Sequence, residues 1–394
     1  MKLSQRVSSV GASMTIAITA KAANMRAEGK DVVSFGAGEP DFDTPEFIKQ
    51  AACEAMEAGD TKYTPRAEKA LMKAVADKLA RENGLTVEPG QVALTFGGKH
   101  ALYCAFQALV DPGDKVLIPS PYWVSYPEMV KLAGGEPVIL PTTQSGGFEV
   151  SPEQIAEAGK DAKILVLNSP CNPTGVTYSP AKLKAIAEAV LETDLIVFSD
   201  EVYEKLVFAG AEFVSFAALD PQLPERTLTF NTLSKTYAMT GWRLGWAAGP
   251  AEVMGAVRKL MSQSTTKPVS FVEAGGLQAY ANREADEQVE SMRREFERRG
   301  IYMAERLNAM DGVECLPPTG AFYCFPDVSA HYGRSLGGIE VSDSMSFTQA
   351  ALEAVQVALV PGAAFGEDKC VRLSFATGMD HIESGLDRLE KLLA

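Results

Sequence analysis

The 394-residue chain is poor in the residues that metal and hydrolase chemistry use most. It has three histidines, His100, His331 and His381, and no metal-ligand spacing relates them, so nothing points to a zinc hydrolase. No GxSxG elbow occurs, which speaks against a Ser-His-Asp hydrolase built on that turn. The six cysteines, at 53, 104, 171, 315, 324 and 370, form no CxxC pair and read as reduced core thiols, not as a disulfide framework. No apolar run is long enough to cross a bilayer. Residues 1–10 are polar and lack the basic-then-apolar order of a signal peptide, so the sequence predicts a cytoplasmic protein without a membrane partner. Positive charge is also short: 37 Lys and Arg stand against 51 Asp and Glu, a formal net charge of −14. Such a chain repels phosphate backbones, and no nucleic-acid partner is expected. An anionic ligand would need a local basic island.

What remains is ordinary globular composition, 46% hydrophobic and 22% charged, without repeats or low-complexity linkers. The length exceeds what one hydrophobic core usually supports, which predicts two domains. Residues 115–119 (KVLIP), 164–168 (ILVLN), 195–199 (LIVFS), 227–231 (TLTFN) and 244–248 (LGWAA) are nearly continuous apolar runs, as in strands buried on both faces. Stretches with helical periodicity, such as 180–192 and 252–263, alternate with them. The alternation predicts a mostly parallel sheet covered by helices. Residues 284–310 read as one long charged helix, solvated on most of its surface and long enough to join two domains. Beyond it, 313–326 and 371–376 look like strands of a smaller α/β unit.

Ligands of such sheets gather at the carboxyl ends of the strands. Polar residues cluster there: Asn168 ends one strand and Asn172 follows it shortly, Asp200 directly follows another, and Lys235 lies beyond a third. A lone lysine is ordinarily a surface residue. Lys235, however, follows a buried-type strand, and desolvation would lower its pKa and make its amine nucleophilic toward an aldehyde. Arg243, eight residues on, could clamp a phosphate. Asp200 could be a helix N-cap or the partner of a protonated ring nitrogen. Gly97-Gly98-Lys99 opens a helical stretch over 99–110, where backbone N–H groups can meet an anion. Its spacing is not that of a P-loop. Trp123, after Pro121-Tyr122, could be core or could stack on a flat ring. Asn172-Pro173-Thr174-Gly175 is a turn whose asparagine can donate to a phenolic oxygen. Arg372 lies within an apolar strand and needs a partner, for which a substrate carboxylate is suited. Singly, each residue has a structural explanation. Together they supply the groups that a pyridoxal 5′-phosphate site requires.

With these residues in view, the chain resembles class I aminotransferases of the fold-type-I pyridoxal-phosphate enzymes, in the branch containing bacterial aspartate aminotransferases. The likeness runs nearly end to end, through Gly36-Ala37-Gly38-Glu39-Pro40-Asp41-Phe42, Lys62-Tyr63-Thr64, Gly97-Gly98-Lys99, Pro121-Tyr122-Trp123, Asn172-Pro173-Thr174-Gly175, Asp200-Glu201-Val202-Tyr203, Ser234-Lys235 to Gly241-Trp242-Arg243, Gly320-Ala321-Phe322-Tyr323 and Arg372-Leu373-Ser374. The resemblance implies an N-terminal arm (1–11), a large cofactor-binding domain (45–296) and a small domain formed by 12–44 with 297–394. It implies that Lys235 bonds the cofactor covalently and shuttles the proton, that Asp200 pairs with the ring nitrogen, and that Asn172 and Tyr203 bond the ring oxygen. Trp123 would stack on the ring. Gly98, Lys99, Ser234 and Arg243 would hold the phosphate. Tyr63 would reach the phosphate of a neighbouring subunit, which implies a homodimer with shared sites. Arg372 and Gly38 would bind the α-carboxylate. Thr15 and Lys99 stand where this branch binds a distal carboxylate, which favours aspartate and glutamate as amino donors and 2-oxoglutarate as acceptor. Prephenate, aromatic or alanine transamination and β-elimination are the alternatives. Two departures stand out. After Tyr63 the family pattern TPxxGIPEL reads TPRAEKAL, one residue shorter and without its Gly and second Pro. His100 replaces a common Gln or Glu and reads as a helix residue, not a catalyst.

Overall fold

The computed structural model describes residues 2–11, 14–208 and 210–394, without the side chains of Thr15, Ile16 and Thr19. The expected substrate contact of Thr15 therefore falls outside the described side chains. Its backbone lies in the helix Met14–Ala27.

Seven strands form the central sheet, in the order Val92–Thr95, Gly245–Ala248, Thr227–Thr232, Ile196–Asp200, Ile164–Asn168, Lys115–Pro119, Glu136–Leu140. Gly245–Ala248 alone runs opposite in direction to the other six strands. The expected architecture, an α/β fold with a mostly parallel sheet under helices, is present. The inner strands are buried along nearly their whole length, which is why they read as unbroken apolar runs. Their side chains pack against the helices Gly98–Leu109 and Ala251–Ser264 in a core that includes Phe106, Phe198, Phe230, Val257 and Met261. Each such side chain contributes about 1.5–3 kcal/mol by leaving water.

Some boundaries differ from the sequence reading. Asp200 is the last residue of its strand, not the first after it, because it pairs in register with Asn168 on one side and Phe230 on the other. The long helix ends at Asn308, two residues early. Within 313–326 only Tyr323–Cys324 forms a strand; it pairs with Val371–Ser374, which pairs with Val360–Pro361. The edge strand Glu136–Leu140 has no clear apolar signature, since four of its five residues are at least partly exposed. A short parallel pair, Val33–Ser34 with Val357–Ala358, ties the N-terminal part of the chain to the C-terminal part. Among the described residues, no helix is long and apolar enough to cross a membrane.

Candidate active site

The parallel strands deliver Asn168, Asp200 and Thr232 to one edge of the sheet. The antiparallel strand starts at that same edge, so Arg243, two residues before it, arrives beside them. A cavity of about 820 Å³ opens there. Its wall includes Gly38, Gly98, Lys99, Trp123, Asn172, Asp200, Tyr203, Ser234, Lys235, Arg243 and Arg372. Eleven of the thirteen residues singled out in the sequence thus share one space. Thr15 is the undescribed one. Tyr63 is elsewhere, 85% exposed on the outer surface.

Gly97 and Gly245 are sterically required. Gly97 has φ +86°, and a Cβ there would lie 2.7 Å from Arg243 Nη2. At Gly245 a Cβ would come within 2.6 Å of the Gly98 nitrogen. The turn therefore lies directly on the adjoining strand, and the first N–H groups of the helix Gly98–Leu109 stay available for an anion. Arg243 adopts a left-handed conformation (φ 53°), and its guanidinium donates to the Thr240 carbonyl at 2.7 Å and the Phe96 carbonyl at 3.4 Å. Ser234 Oγ lies 2.9 Å from Thr232 Oγ1.

Lys235 Nζ donates to the Gly38 carbonyl oxygen. Burial pushes its pKa down to about 8; Glu39 opposes this, while Arg372, Arg243 and Lys99 add to it. Lys99 is lowered by burial and by Arg243, and its ammonium sits 4.7 Å from the Trp123 ring centre. Asp200 is 3% exposed. Burial raises its carboxyl to about 6 against hydrogen bonds from Tyr126 and the Val202 backbone and the nearby Lys235 charge. Its Oδ2 accepts from the Tyr126 hydroxyl; its Oδ1 is buried without a partner among the described residues. An unpaired buried acceptor is costly and fits a cationic N–H donor.

Arg372 is also 3% exposed and has no carboxylate partner among the described residues. Nη1 donates to Asn172 Oδ1 at 2.9 Å and Nη2 to the Gly36 carbonyl at 3.2 Å, while Nε has no partner there. The Tyr323 and Phe365 rings flank it, 4.5 and 5.0 Å from Cζ. A buried guanidinium without a counter-charge calls for an anion. Tyr203 and Tyr323 hydroxyls lie 3.0 Å apart. Behind Tyr203, Glu204 accepts from Lys78, Asn231 and Asn83, a buried network that fixes the turn carrying Tyr203. His100 lies in the helix after the glycines, its ring against Cys104 Sγ at 3.5 Å, and does not line the cavity.

Two further residues of the site have no role assigned from the sequence. Asn168, recognisable there only as a polar strand end, donates from Nδ2 to the Asp200 carbonyl, and its Oδ1 accepts from the Asn172 backbone, each at 2.9 Å. Tyr126 is the second. It lies three residues past Trp123, a spacing that puts it on the same side of a helical turn, and that spacing is the available signal.

An unpaired acceptor in the same cavity as Lys235, a helix N-terminus beside two cations, an indole ring and a buried guanidinium without a counter-charge match a planar, phosphorylated, cationic heterocycle together with a carboxylate substrate. Similarity to known proteins agrees. Residues 30–389 match the family model for aminotransferases of class I and II. The chain is 45% identical over 395 residues to the aspartate aminotransferase of Geobacillus stearothermophilus, covering 100% of this chain and 99% of that protein. It is 44% identical to the aspartate/prephenate aminotransferase of Cereibacter sphaeroides, with 100% and 98% covered. Among solved structures, the Thermus thermophilus aspartate aminotransferase with maleate superposes with a TM-score of 0.93 at 43% identity, each chain covered fully.

Proposed function

The chain belongs to the class I and II aminotransferases, enzymes that depend on pyridoxal phosphate, and on that premise we propose that it moves the amino group of aspartate, or of a similar acidic amino acid, to 2-oxoglutarate. The observation that carries this reading is the cluster of cations without carboxylate partners among the described residues, Arg372, Lys99 and Arg243, around Lys235 in a chain of net charge −14. It is the basic island that a dicarboxylate substrate and a phosphorylated cofactor both need. The names of the relatives support aspartate.

When bound, pyridoxal phosphate supplies an aldehyde that exchanges between amines and a ring that withdraws electrons from the substrate Cα. The chain would supply the rest. Gly98 and Lys99, through backbone N–H groups, with Ser234 and Arg243, would hold the phosphate. Trp123 would cover one ring face, and Asn172 and Tyr203 would donate to the ring oxygen. Asp200 Oδ1 would accept from the ring nitrogen and keep it protonated. Lys235, with a pKa of about 8, has a usable neutral fraction at neutral pH and would carry the proton between the substrate Cα and the cofactor C4′. Arg372 and the Gly38 main chain would orient the α-carboxylate. Lys99 and Thr15 would take the distal one.

The same reading makes the active unit a homodimer, with Tyr63 entering the neighbouring site. Its exposure supports this, as does the fixing of its flanking carbonyls: Lys62 O accepts from Ser270 Oγ and Thr64 O from Lys267 Nζ, each at 2.9 Å. These bonds fix the main chain on both sides of Tyr63. We also read residues 45–296 as the large domain, 12–44 with 297–394 as the small one, and 1–11 as an arm. The central sheet within 45–296 and the Val33–Ser34 pairing with Val357–Ala358 support that division. A panel of amino donors assayed with 2-oxoglutarate tests substrate choice: aspartate and glutamate should lead, and if both are poor the acidic-substrate reading falls. Prephenate as acceptor belongs in the same panel, since several relatives carry that name.

A further inference from the structure

We propose that Tyr126 is a positioning residue that aims Asp200 at the cofactor's ring nitrogen and holds the stacking face of Trp123 in the same step. This rests on the reading of Asp200 given above. Tyr126 is fully buried in the helix Ser125–Ala133 and lines the cavity. Its ring meets Trp123 edge to face, with centroids 5.3 Å apart and planes at 82°. Its hydroxyl reaches across to Asp200 Oδ2, 74 residues away in the chain. It is the one side chain that hydrogen-bonds the Asp200 carboxylate among the described residues.

The direction of that bond matters. Burial and the adjacent Asp200 charge push the Tyr126 phenol well above its ordinary range, so it stays protonated and must donate. One carboxylate oxygen is thereby occupied and the rotation of the group is fixed. Oδ1, the buried oxygen without a partner among the described residues, is left as the acceptor. The Asp200 main chain is pinned separately, by its strand pairing and by Asn168. The Val202 backbone N–H also bears on the carboxylate, and Tyr126 is the side chain that completes the setting of its plane. Because the same ring braces Trp123, the in-plane contact and the stacking contact share one support.

The experiment separates this from a packing role. The full chain, stripped of cofactor, is titrated with pyridoxamine 5′-phosphate, which makes no covalent bond to Lys235, and with its 1-deaza analogue, which lacks the ring nitrogen. The wild type should bind the natural form at least about tenfold more tightly, the effect of a charged hydrogen bond. Tyr126→Phe should lose most of that preference, weakening the natural form about tenfold while leaving the deaza analogue within about twofold. In an Asp200→Ala background the same substitution should change neither ratio, because the two residues act as one unit. Equal weakening of both ligands by Tyr126→Phe, or an unchanged preference, would overturn the inference and leave Asp200's role standing. A wild type without preference would remove the Asp200 reading and this inference together.

Discussion

The helix Glu284–Asn308 and the wall of the cavity are both rich in cations, yet they treat them in opposite ways. On the helix, Arg293 bonds Glu290 and Glu297, Arg294 bonds Glu290, Arg298 bonds Glu295, and Arg299 bonds Glu295 and Asp41. Most are three- or four-residue neighbours, a pattern that local helix geometry satisfies unaided. In the cavity, Arg372, Lys99 and Arg243 have no carboxylate partner among the described residues, and Glu39 and Asp200 are acidic groups whose charges meet that of Lys235. Arg372 in particular is out of water, so its charge costs free energy in the ligand-free chain. Charge alone does not distinguish the two sets; internal pairing does.

That contrast breaks most sharply at Lys235. Replacing it with alanine should lower transamination by about 10⁴-fold or more, since both the amine and the proton carrier are lost. Borohydride reduction of the loaded wild type should fix the cofactor on Lys235. Label on any other lysine would refute the assignment. Arg372→Leu comes next, with kcat/KM for aspartate falling about 10²- to 10³-fold, the range expected when one member of a buried charge pair is removed. Arg372→Lys should recover little, because the planar fork is what meets a carboxylate at two points. Steady-state kinetics decide it: a loss below about fivefold would mean that the unpaired guanidinium is not the carboxylate site.

Much of this contrast is legible in the amino-acid sequence. Strands 115–119 and 164–168 announce themselves with their observed bounds, because burial on both faces erases the two-residue alternation and leaves unmistakable apolar runs. The half-exposed edge strand at Glu136–Leu140 has no such signature and does not stand out. Site residues show through where chemistry conflicts with surroundings, as with Arg372 in an apolar strand. Tyr126 presents no such conflict. A tyrosine three residues past a tryptophan looks like core, and its link to Asp200 exists only in three dimensions. Tyr63 is legible through resemblance alone, since nothing in its local sequence distinguishes an outward-facing tyrosine from a buried one.

A smaller effect sharpens the comparison through pH. Glu201, behind the cavity wall, is raised to about 7, first by burial and then by Glu204, despite hydrogen bonds from Ser199, Ser215 and the Phe216 backbone. Unfolded, it titrates near the usual value of about 4.3. Between these values the folded chain holds a proton that the unfolded chain releases. Its contribution to stability is therefore full below about pH 4 and is lost as pH rises through 7. Glu290 on the helix has the opposite sign: its arginines hold it down to about 2, so its contribution is present above the ordinary carboxylate range and lost in strong acid. Urea unfolding of the cofactor-free chain at pH 5 and 7.5 should show that Glu201→Gln loses less stability over that interval than the wild type, by on the order of 2 kcal/mol. An equal loss would place Glu201 outside the group of strained carboxylates.

The smallest expected change is Arg294→Ala. Arg294 Nε lies 2.6 Å from Glu290 Oε1 in an i,i+4 pair, with 73% of the side chain exposed. Glu290 keeps its bond to Arg293 in the variant, so no buried or unpaired charge is created. Exposed helical pairs of this kind contribute about 0.3–0.5 kcal/mol, and alanine returns a few tenths through its higher helix propensity. The net cost should be at most about 0.5 kcal/mol, should shrink further in 0.5 M salt (roughly a 4 Å screening length), and should leave kcat/KM for aspartate unchanged. Thermal unfolding at two salt concentrations, beside the donor assay, measures all three. A loss above about 1.5 kcal/mol, or a fall in turnover, would mean that short-range pairing on this helix carries more than solvation. The distinction between its satisfied arginines and the unsatisfied ones in the cavity would then lose its meaning.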